Sequence, residues 1–286
     1  MISDITLGQF FPGNSPIHRL DPRTKIILTT VFIVAVFLAN SAAGFAALFL
    51  SVILLIASSK ISFSVILKGI KPVIYVLVFT ALINIFVTKG EGEPLFALSV
   101  VKIYREGIIR AVFMALRVIL LITGTSLLLT YTTSPISLTD GIESLFSPLK
   151  RIGVPVHIFA MMMTIALRFI PTLVEETEKI MNAQKSRGAD FSSGSLVKRA
   201  KALIPILLPL FISSFNRADE LATAMECRCY RGDKKRTKLV KLQYHKLDAV
   251  WMLLGVIFLG AMIALKVLRG DIADLGGLFG IFFYQI

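Results

Sequence analysis

The chain has 286 residues, of which 55% are hydrophobic and only 17% are charged, and its mean hydropathy is +0.78. These values exclude an ordinary soluble domain and indicate an all-α, polytopic membrane protein, because about 20 apolar residues per helix suffice to cross a bilayer. The net charge of +13 does not predict nucleic-acid binding, since the basic residues lie mainly between apolar runs, as in cytoplasmic loops under the positive-inside rule.

Four apolar runs predict the N-terminal membrane helix bundle. Only Asn40 and Ser41 separate the first two runs, which favours either a tight helical hairpin or one long bent helix. Lys60, Lys68 and Lys71 precede the third run and predict a basic loop on the cytoplasmic side, together with the N-terminus. The four runs are residues 26–39, 44–57, 73–87 and 108–131.

A predicted external loop, residues 88–106, leads into the fourth run, which contains two arginines. Arg110 and Arg117 are seven residues apart and therefore lie on one helix face, about two turns from each other. An arginine within a membrane is costly and usually faces protein or water, so a functional role is one interpretation. For Arg110, near the helix end, snorkelling to the interface is the preferred interpretation.

From Pro155 onward, apolar stretches continue into charged helical sequence without an intervening turn. The first predicted helix covers residues 156–184 and is expected to stop at Gly188. The second begins near Ser195, and its apolar stretch, residues 202–215, is expected to be too short to span a bilayer. Both helices are therefore expected to leave the membrane and remain helical in the cytoplasm.

Prolines, a basic run and two apolar segments complete the C-terminal half. Prolines at positions 171, 205 and 209 predict kinks, because each removes a backbone donor and clashes with the preceding turn. A further span is predicted over 249–265, followed by a short apolar tail, 272–286, whose side is open. The basic run is expected to face the cytoplasm or an anionic surface and comprises Arg228, Arg231, Lys234, Lys235, Arg236, Lys238, Lys241 and Lys246.

The sequence contains no convincing catalytic or metal-binding constellation. It has no Gly-x-x-x-x-Gly-Lys-Ser/Thr segment, so we expect no enzymatic activity and no bound cofactor, with any ATP hydrolysed by partner subunits. The three histidines lie in separate segments, and the carboxylates of residues 175–178 are interpreted as a solvated helix face. Cys227 and Cys229 are expected to remain free thiols, since a disulfide between such near neighbours is strained and a metal needs further ligands.

Two polar segments with similar endings are the informative feature. Residues 178–188 and 219–229 each contain small residues, and the next-to-last residue of each segment is an arginine, Arg187 or Arg228. Small side chains allow close approach to another protein, and a guanidinium offers five donors to a groove. The segments are therefore either two docking plugs for related sockets or ordinary helix ends in which cations complement the macrodipole.

Three stretches resemble the EcfT/CbiQ family of energy-coupling factor (ECF) transporter subunits: residues 166–171 with Arg168 and Pro171, residues 183–190, and residues 218–232. The opening segment, 18–25, resembles that family's N-terminal signature.

The family's two Ala-Arg-Gly coupling signatures correspond here to Ser186-Arg187-Gly188 and Cys227-Arg228-Cys229. Both depart from the pattern, and Cys229 in place of glycine makes any left-handed conformation costly. A second register, on Arg231 and Gly232, is kept as the alternative.

The resemblance implies a membrane scaffold that binds two ABC ATPases of the EcfA and EcfA′ type and a small membrane S component carrying a vitamin or a transition metal ion. It predicts a multi-pass protein of the cell membrane with cytoplasmic coupling helices. The expected domains are a membrane domain, 1–154, a coupling region, 155–246, and a C-terminal membrane segment, 247–286. The alternatives are a secondary transporter or a conventional ABC permease that binds substrate itself.

Overall fold

The computed structural model describes residues 10–87, 96–98, 101–189, 191, 195–232 and 242–273. Most of the predicted external loop, residues 234–241 of the basic run and the apolar tail from residue 274 lie outside the described residues. The described elements are the helices α1 (Pro22–Leu38), α2 (Ala42–Ser59), α3 (Phe63–Val87), α4 (Arg105–Thr125), α5 (Pro135–Phe146), α6 (Val156–Ser186), α7 (Leu196–Cys227) and α8 (Lys246–Ala273).

Three shorter elements accompany these helices. A π-helical turn, Ser126–Thr130, continues α4, and a 3₁₀-helix, Ser147–Ile152, follows α5. The short antiparallel strands β1 (Phe96–Leu98) and β2 (Val101–Ile103) pair Phe96 with Ile103. The all-helical prediction is thus confirmed for the architecture, with one small hairpin inside the segment that was expected to be a loop.

The helix starts follow local capping chemistry. The Asp21 carboxylate accepts the backbone N–H of Arg23 at 2.9 Å, and Pro22 occupies the first helical position of α1, where no backbone donor is needed. Ser41 caps α2 by accepting the N–H of Gly44 at 3.0 Å. The Asn40-Ser41 dipeptide therefore separates two helices, and the interpretation as one long bent helix is wrong.

Among the described residues, six helices are long and apolar enough to cross a membrane: α2, α3, α4 with its π-helical turn, α6, α7 and α8. Two expectations need correction. Helix α3 begins at Phe63, so Lys68 and Lys71 lie on the helix and not in a loop before it. The flanking residues make α7 long enough to qualify, although its apolar stretch alone was expected to be too short.

The chain forms two compact units. Among the described residues, one unit contains those from 135 to 232, and the other contains those from 10 to 134 together with residues 242–273. The boundary thus falls at Pro135, and the C-terminal helix α8 joins the N-terminal helices. The predicted division at residues 154 and 246 by functional role stays a prediction.

In the unit that includes the N-terminal helices, α1 packs against α2, α4 and α8. Helix α1 runs antiparallel to α4. Lys25, near the start of α1, contacts Thr132 beyond the end of α4, whereas Ala39, at the end of α1, contacts Arg117 in the middle of α4. The Phe32 ring fills the space beside Gly124 in the middle of this interface. The fully or nearly buried apolar side chains around it include Leu28, Val36, Leu48, Val52, Leu120, Leu127 and Met262.

A cation from each helix binds the carbonyl end of the other. Arg117 of α4 donates to the carbonyl oxygen of Ala39, the C-cap of α1, at 2.6 Å and to Asn40 Oδ1 at 3.1 Å. Lys25 of α1 donates to the carbonyl oxygen of Thr132, just beyond the π-helical turn, at 2.8 Å. Arg117 therefore has a structural role at a helix C-terminus, where a positive charge complements the macrodipole.

A buried carboxylate joins the beginning of α8 to the beginning of α1. Asp248, only 1% exposed, accepts the backbone N–H of Asp21 at 2.8 Å and that of His245 at 2.7 Å. Arg23 reinforces this junction by donating to the carbonyl oxygen of Leu242 at 2.9 Å and by lying 4.8 Å from the centre of the Tyr244 ring. The residues around Asp21 and Asp248 thus hold the beginnings of the unit's two chain segments together.

Candidate docking sites at two helix ends

The two predicted arginine motifs lie at the C-termini of α6 and α7, in the unit that begins at Pro135. Arg187 is the C-cap of α6 and Arg228 is the C-cap of α7, with nearly identical backbone angles (φ −89°, ψ 7° and φ −88°, ψ 16°). The next residue is left-handed in both cases: Gly188 has φ 88° and Cys229 has φ 55°. The internal sequence similarity therefore corresponds to a repeated backbone conformation.

The hydrogen bonds show that both ends are Schellman motifs. At the first, Gly188 N–H donates to the carbonyl of Lys185 at 2.9 Å, and Ala189 N–H donates to that of Gln184 at 3.0 Å. At the second, Cys229 and Tyr230 N–H donate to the carbonyls of Glu226 and Met225 at 2.8 and 3.0 Å. These bonds satisfy helix carbonyls that would otherwise lack partners, so each end is rigidly defined.

Each motif presents an exposed arginine. Ser186, Arg187 and Gly188 are exposed, as are Cys227, Arg228 and Cys229. Since the Schellman bonds fix the backbone on either side of the arginine, only the guanidinium side chain has to be ordered when it enters a groove. The geometry therefore fits a protruding cationic plug at each helix end.

The shared conformation also aligns the second motif with the first. Arg228, and not Arg231, occupies the C-cap position that corresponds to Arg187. Arg231 is exposed and lies beyond the helix, before Gly232, which has φ 73°. Cys229, at φ 55°, adopts the left-handed conformation that is costly for a residue with a Cβ, and the expected role of these residues in docking stays a prediction.

The remaining predicted residues are the two cysteines and two residues within α6. Cys227 and Cys229 are free thiols, as expected. Arg168 is exposed on α6, and Pro171 lies within the same helix, which continues through it. Both residues lie in the interior of α6, several turns before Arg187, and are therefore not part of the arginine motif at its end.

A carboxylate ties α6 to α7. Glu176 accepts the Ser213 hydroxyl at 2.5 Å through Oε1 and the Arg217 guanidinium at 3.0 Å through Oε2. Glu175, its neighbour, is exposed. The interpretation of the whole carboxylate cluster as a solvated face is therefore wrong for Glu176, whose two partners lie on the opposing helix and leave no local signal in the sequence.

A second polar contact fixes the start of α6. His157 Nδ1 lies 3.0 Å from Glu143 Oε1 on α5. Together with the Glu176 contacts, it links α5, α6 and α7 into one helical assembly within this unit. The two arginine-bearing ends are thus the termini of helices whose mutual position is set by polar contacts.

Comparison with known proteins identifies the family. The profile of the cobalt transport protein family, CbiQ, matches residues 13–239. A protein of Clostridium kluyveri named energy-coupling factor transporter transmembrane protein EcfT is 54% identical over 257 residues, covering 90% of this chain and 95% of that protein. Proteins of the same name from Acidaminococcus fermentans and Bacillus subtilis are 55% and 46% identical, covering 95% and 92% of this chain and 99% and 98% of theirs. With six helices suited to a membrane in the part of the chain that the structure describes, and matches over nearly its whole length, the chain is a multi-pass membrane protein that belongs to the EcfT/CbiQ family.

Proposed function

We propose that this chain is the energy-coupling transmembrane subunit of an ECF importer, in which two ABC ATPase subunits dock on the ends of α6 and α7. The observation that carries the proposal is the repeated end structure, with Arg187 and Arg228 at equivalent C-cap positions and exposed. Two similar plugs suit the two related grooves of an ATPase pair. The names of the relatives support the same role.

Docking by these ends would use charge-assisted hydrogen bonds. A guanidinium that enters a groove can donate to carboxylates or backbone carbonyls, and each such bond to a charged group contributes about 1.5–3 kcal/mol. ATP binding and hydrolysis then belong to the partners, and closure of the ATPase pair would move the two helix ends. Because Glu176 joins α6 to α7 through Ser213 and Arg217, such a movement would be shared by both helices.

The S component would rest on apolar surface that the described helices leave exposed. Helix α7 alone exposes Leu203, Leu207, Phe211 and Phe215, each four residues after the previous one along the helix. A small membrane protein that carries a vitamin or a transition metal ion would cover this surface. In this arrangement the S component selects the substrate, and the arginine-bearing ends of α6 and α7 and the ATPases are cytoplasmic.

The test is assembly and transport after arginine replacement. The full chain is co-expressed with the ATPases and an S component of its host, and copurification and ATP-driven uptake of that S component's substrate are measured for Arg187→Ala, Arg228→Ala and the double variant. Lys201→Ala, an exposed cation within α7, is the matched control. We expect each single change to weaken ATPase binding about tenfold or more, and the double change to abolish assembly.

Two further results separate the alternatives. An Arg231→Ala effect larger than that of Arg228→Ala would favour the second register. Full assembly and uptake by the double variant would refute docking at these ends. Substrate uptake by the purified chain alone, without ATPases, would replace the proposal with a secondary transporter.

A further inference from the structure

The two arginine-bearing ends share a backbone conformation but differ in chemical reactivity. At the first end, the arginine lies between Ser186 and Gly188, and the Ser186 hydroxyl donates to the carbonyl of Asn182 within its own helix at 3.1 Å. At the second end, the corresponding positions hold Cys227 and Cys229. Both cysteines are free and exposed, so only the second end offers thiols to reagents in solution.

The positions of the thiols place any adduct beside the docking group. Cys227 is the last residue of α7 and Cys229 is the left-handed residue after the C-cap, so the two side chains bracket Arg228 from either side along the chain. Arg228 and Arg231 are both exposed. The positive charges of these arginines attract anionic reagents, and exposed cysteines in positively charged surroundings are accessible to them.

We infer that Cys227 and Cys229 form a thiol-modification site that blocks docking at the α7 end while the α6 end stays unaffected. The ligand class is a small anionic disulfide of the glutathione type. This inference rests on the proposed docking function, because it assigns a regulatory chemistry to one of the two plugs.

The reaction is a thiol–disulfide exchange. The cysteine thiol loses its proton to solvent, and the thiolate attacks one sulfur of the reagent disulfide. The reagent S–S bond breaks as the mixed disulfide forms, and the leaving thiolate takes up a proton. The cysteine is oxidised and one half of the reagent is reduced. A reducing thiol reverses the exchange and restores the free end.

The adduct would oppose docking in two ways. A glutathionyl group carries two carboxylates and one ammonium group, so it brings a net negative charge next to Arg228 and can pair with the guanidinium. It also adds the bulk of a tripeptide at a position where close approach to the partner is required. The expected loss of binding is therefore similar to that caused by removing Arg228, about tenfold or more.

The experiment compares the full-length chain with a variant that carries the chemistry of the first end. Cys227→Ser with Cys229→Gly reproduces the Ser-Arg-Gly sequence of residues 186–188 and leaves Arg228 in place. Both proteins are treated with oxidised glutathione, intact mass counts the adducts, and binding of the host ATPases is measured before treatment, after treatment and after reduction with dithiothreitol.

We expect the treated wild-type chain to bind ATPases as weakly as untreated Arg228→Ala and to recover its binding on reduction. Glutathione treatment should not change the binding of the double-cysteine variant. Adducts on the cysteines without a change in binding would overturn the inference, as would resistance of both thiols to modification. The untreated Arg187→Ala and Arg228→Ala variants keep the two ideas apart. If they bind normally, the docking function itself fails; if they bind weakly while glutathione has no effect, only the thiol inference fails.

Discussion

Replacement of Asp248 by alanine is expected to destabilise the unit that contains α1 and α8. The change removes the two carboxylate oxygens that accept the backbone N–H groups of Asp21 and His245 at 2.8 and 2.7 Å. It also removes one of the two carboxylates that stabilise the charge of Lys25, a side chain only 2% exposed. Each backbone donor loses a charged acceptor in a site that is almost closed to water.

The magnitude follows from the number of bonds lost. A hydrogen bond to a charged group contributes about 1.5–3 kcal/mol, and removing one partner of a buried ionic cluster costs about 3–5 kcal/mol. We therefore expect Asp248→Ala to lower the free energy of unfolding by about 3–5 kcal/mol. Asp248→Asn keeps one acceptor oxygen and should cost about half as much, while Asp219→Asn, an exposed carboxylate on α7, should cost little.

The assay is thermal unfolding in a mild detergent, followed by the fluorescence of Trp251, the single tryptophan of the chain, which lies on α8 close to Asp248. A loss of this size corresponds to a decrease in Tm of about 6–20 °C. A Tm for Asp248→Ala within about 2 °C of the wild type would refute the reasoning, since the two backbone donors would then have to find other partners without cost.

Two further predictions concern positions where glycine is present or replaced. Cys229→Gly should stabilise the α7 end by about 1 kcal/mol, and Gly188→Ala should destabilise the α6 end by a similar amount, because a Cβ disfavours the left-handed conformation that both residues adopt. Amide hydrogen exchange at the two helix ends measures this, and equal protection in both variants and the wild type would contradict it. Gly124→Ala should cost about 1–3 kcal/mol, since its Cβ would overlap the ring of the buried Phe32, whereas Gly260→Ala on α8, where nothing lies within 4 Å, should be tolerated; equal Tm values for these two variants would show that the interface between α1 and α4 adjusts freely.

Local sequence signals predicted the helix ends well. Gly188 is a stop signal because few other residues accept its backbone conformation, and the likeness of the segments around Arg187 and Arg228 indicated that α7 ends in the same way. Capping by Ser195 likewise follows from a side chain that accepts a backbone N–H three residues later. These features depend on neighbours within one turn, which a single sequence displays.

Contacts between distant residues could not be predicted in the same way. The Glu176 carboxylate meets Ser213 and Arg217 on another helix, and Asp248 meets the backbone of Asp21 from the far end of the chain. Such pairs depend on how helices are oriented and aligned, and a charged residue on a helix gives no indication of its partner. The start of α3 was misplaced for a related reason, because lysines on its first turns resemble loop residues when only composition is considered.

The reciprocal contacts of Lys25 and Arg117 have a mechanical consequence. Apolar helices in a bilayer gain little from one axial position over another, since lipid tails are as apolar as leucine side chains. Here the two anchored carbonyl ends, at Thr132 and Ala39, are held by cations on the opposite helix, and the anchor points on α1 are about four turns, or about 21 Å, apart. A shift of α1 along α4 by one residue would break both anchors at once. The two helices therefore have to move as one rigid body. A force applied to this unit must tilt or rotate the pair as a whole instead of sliding one helix along the other.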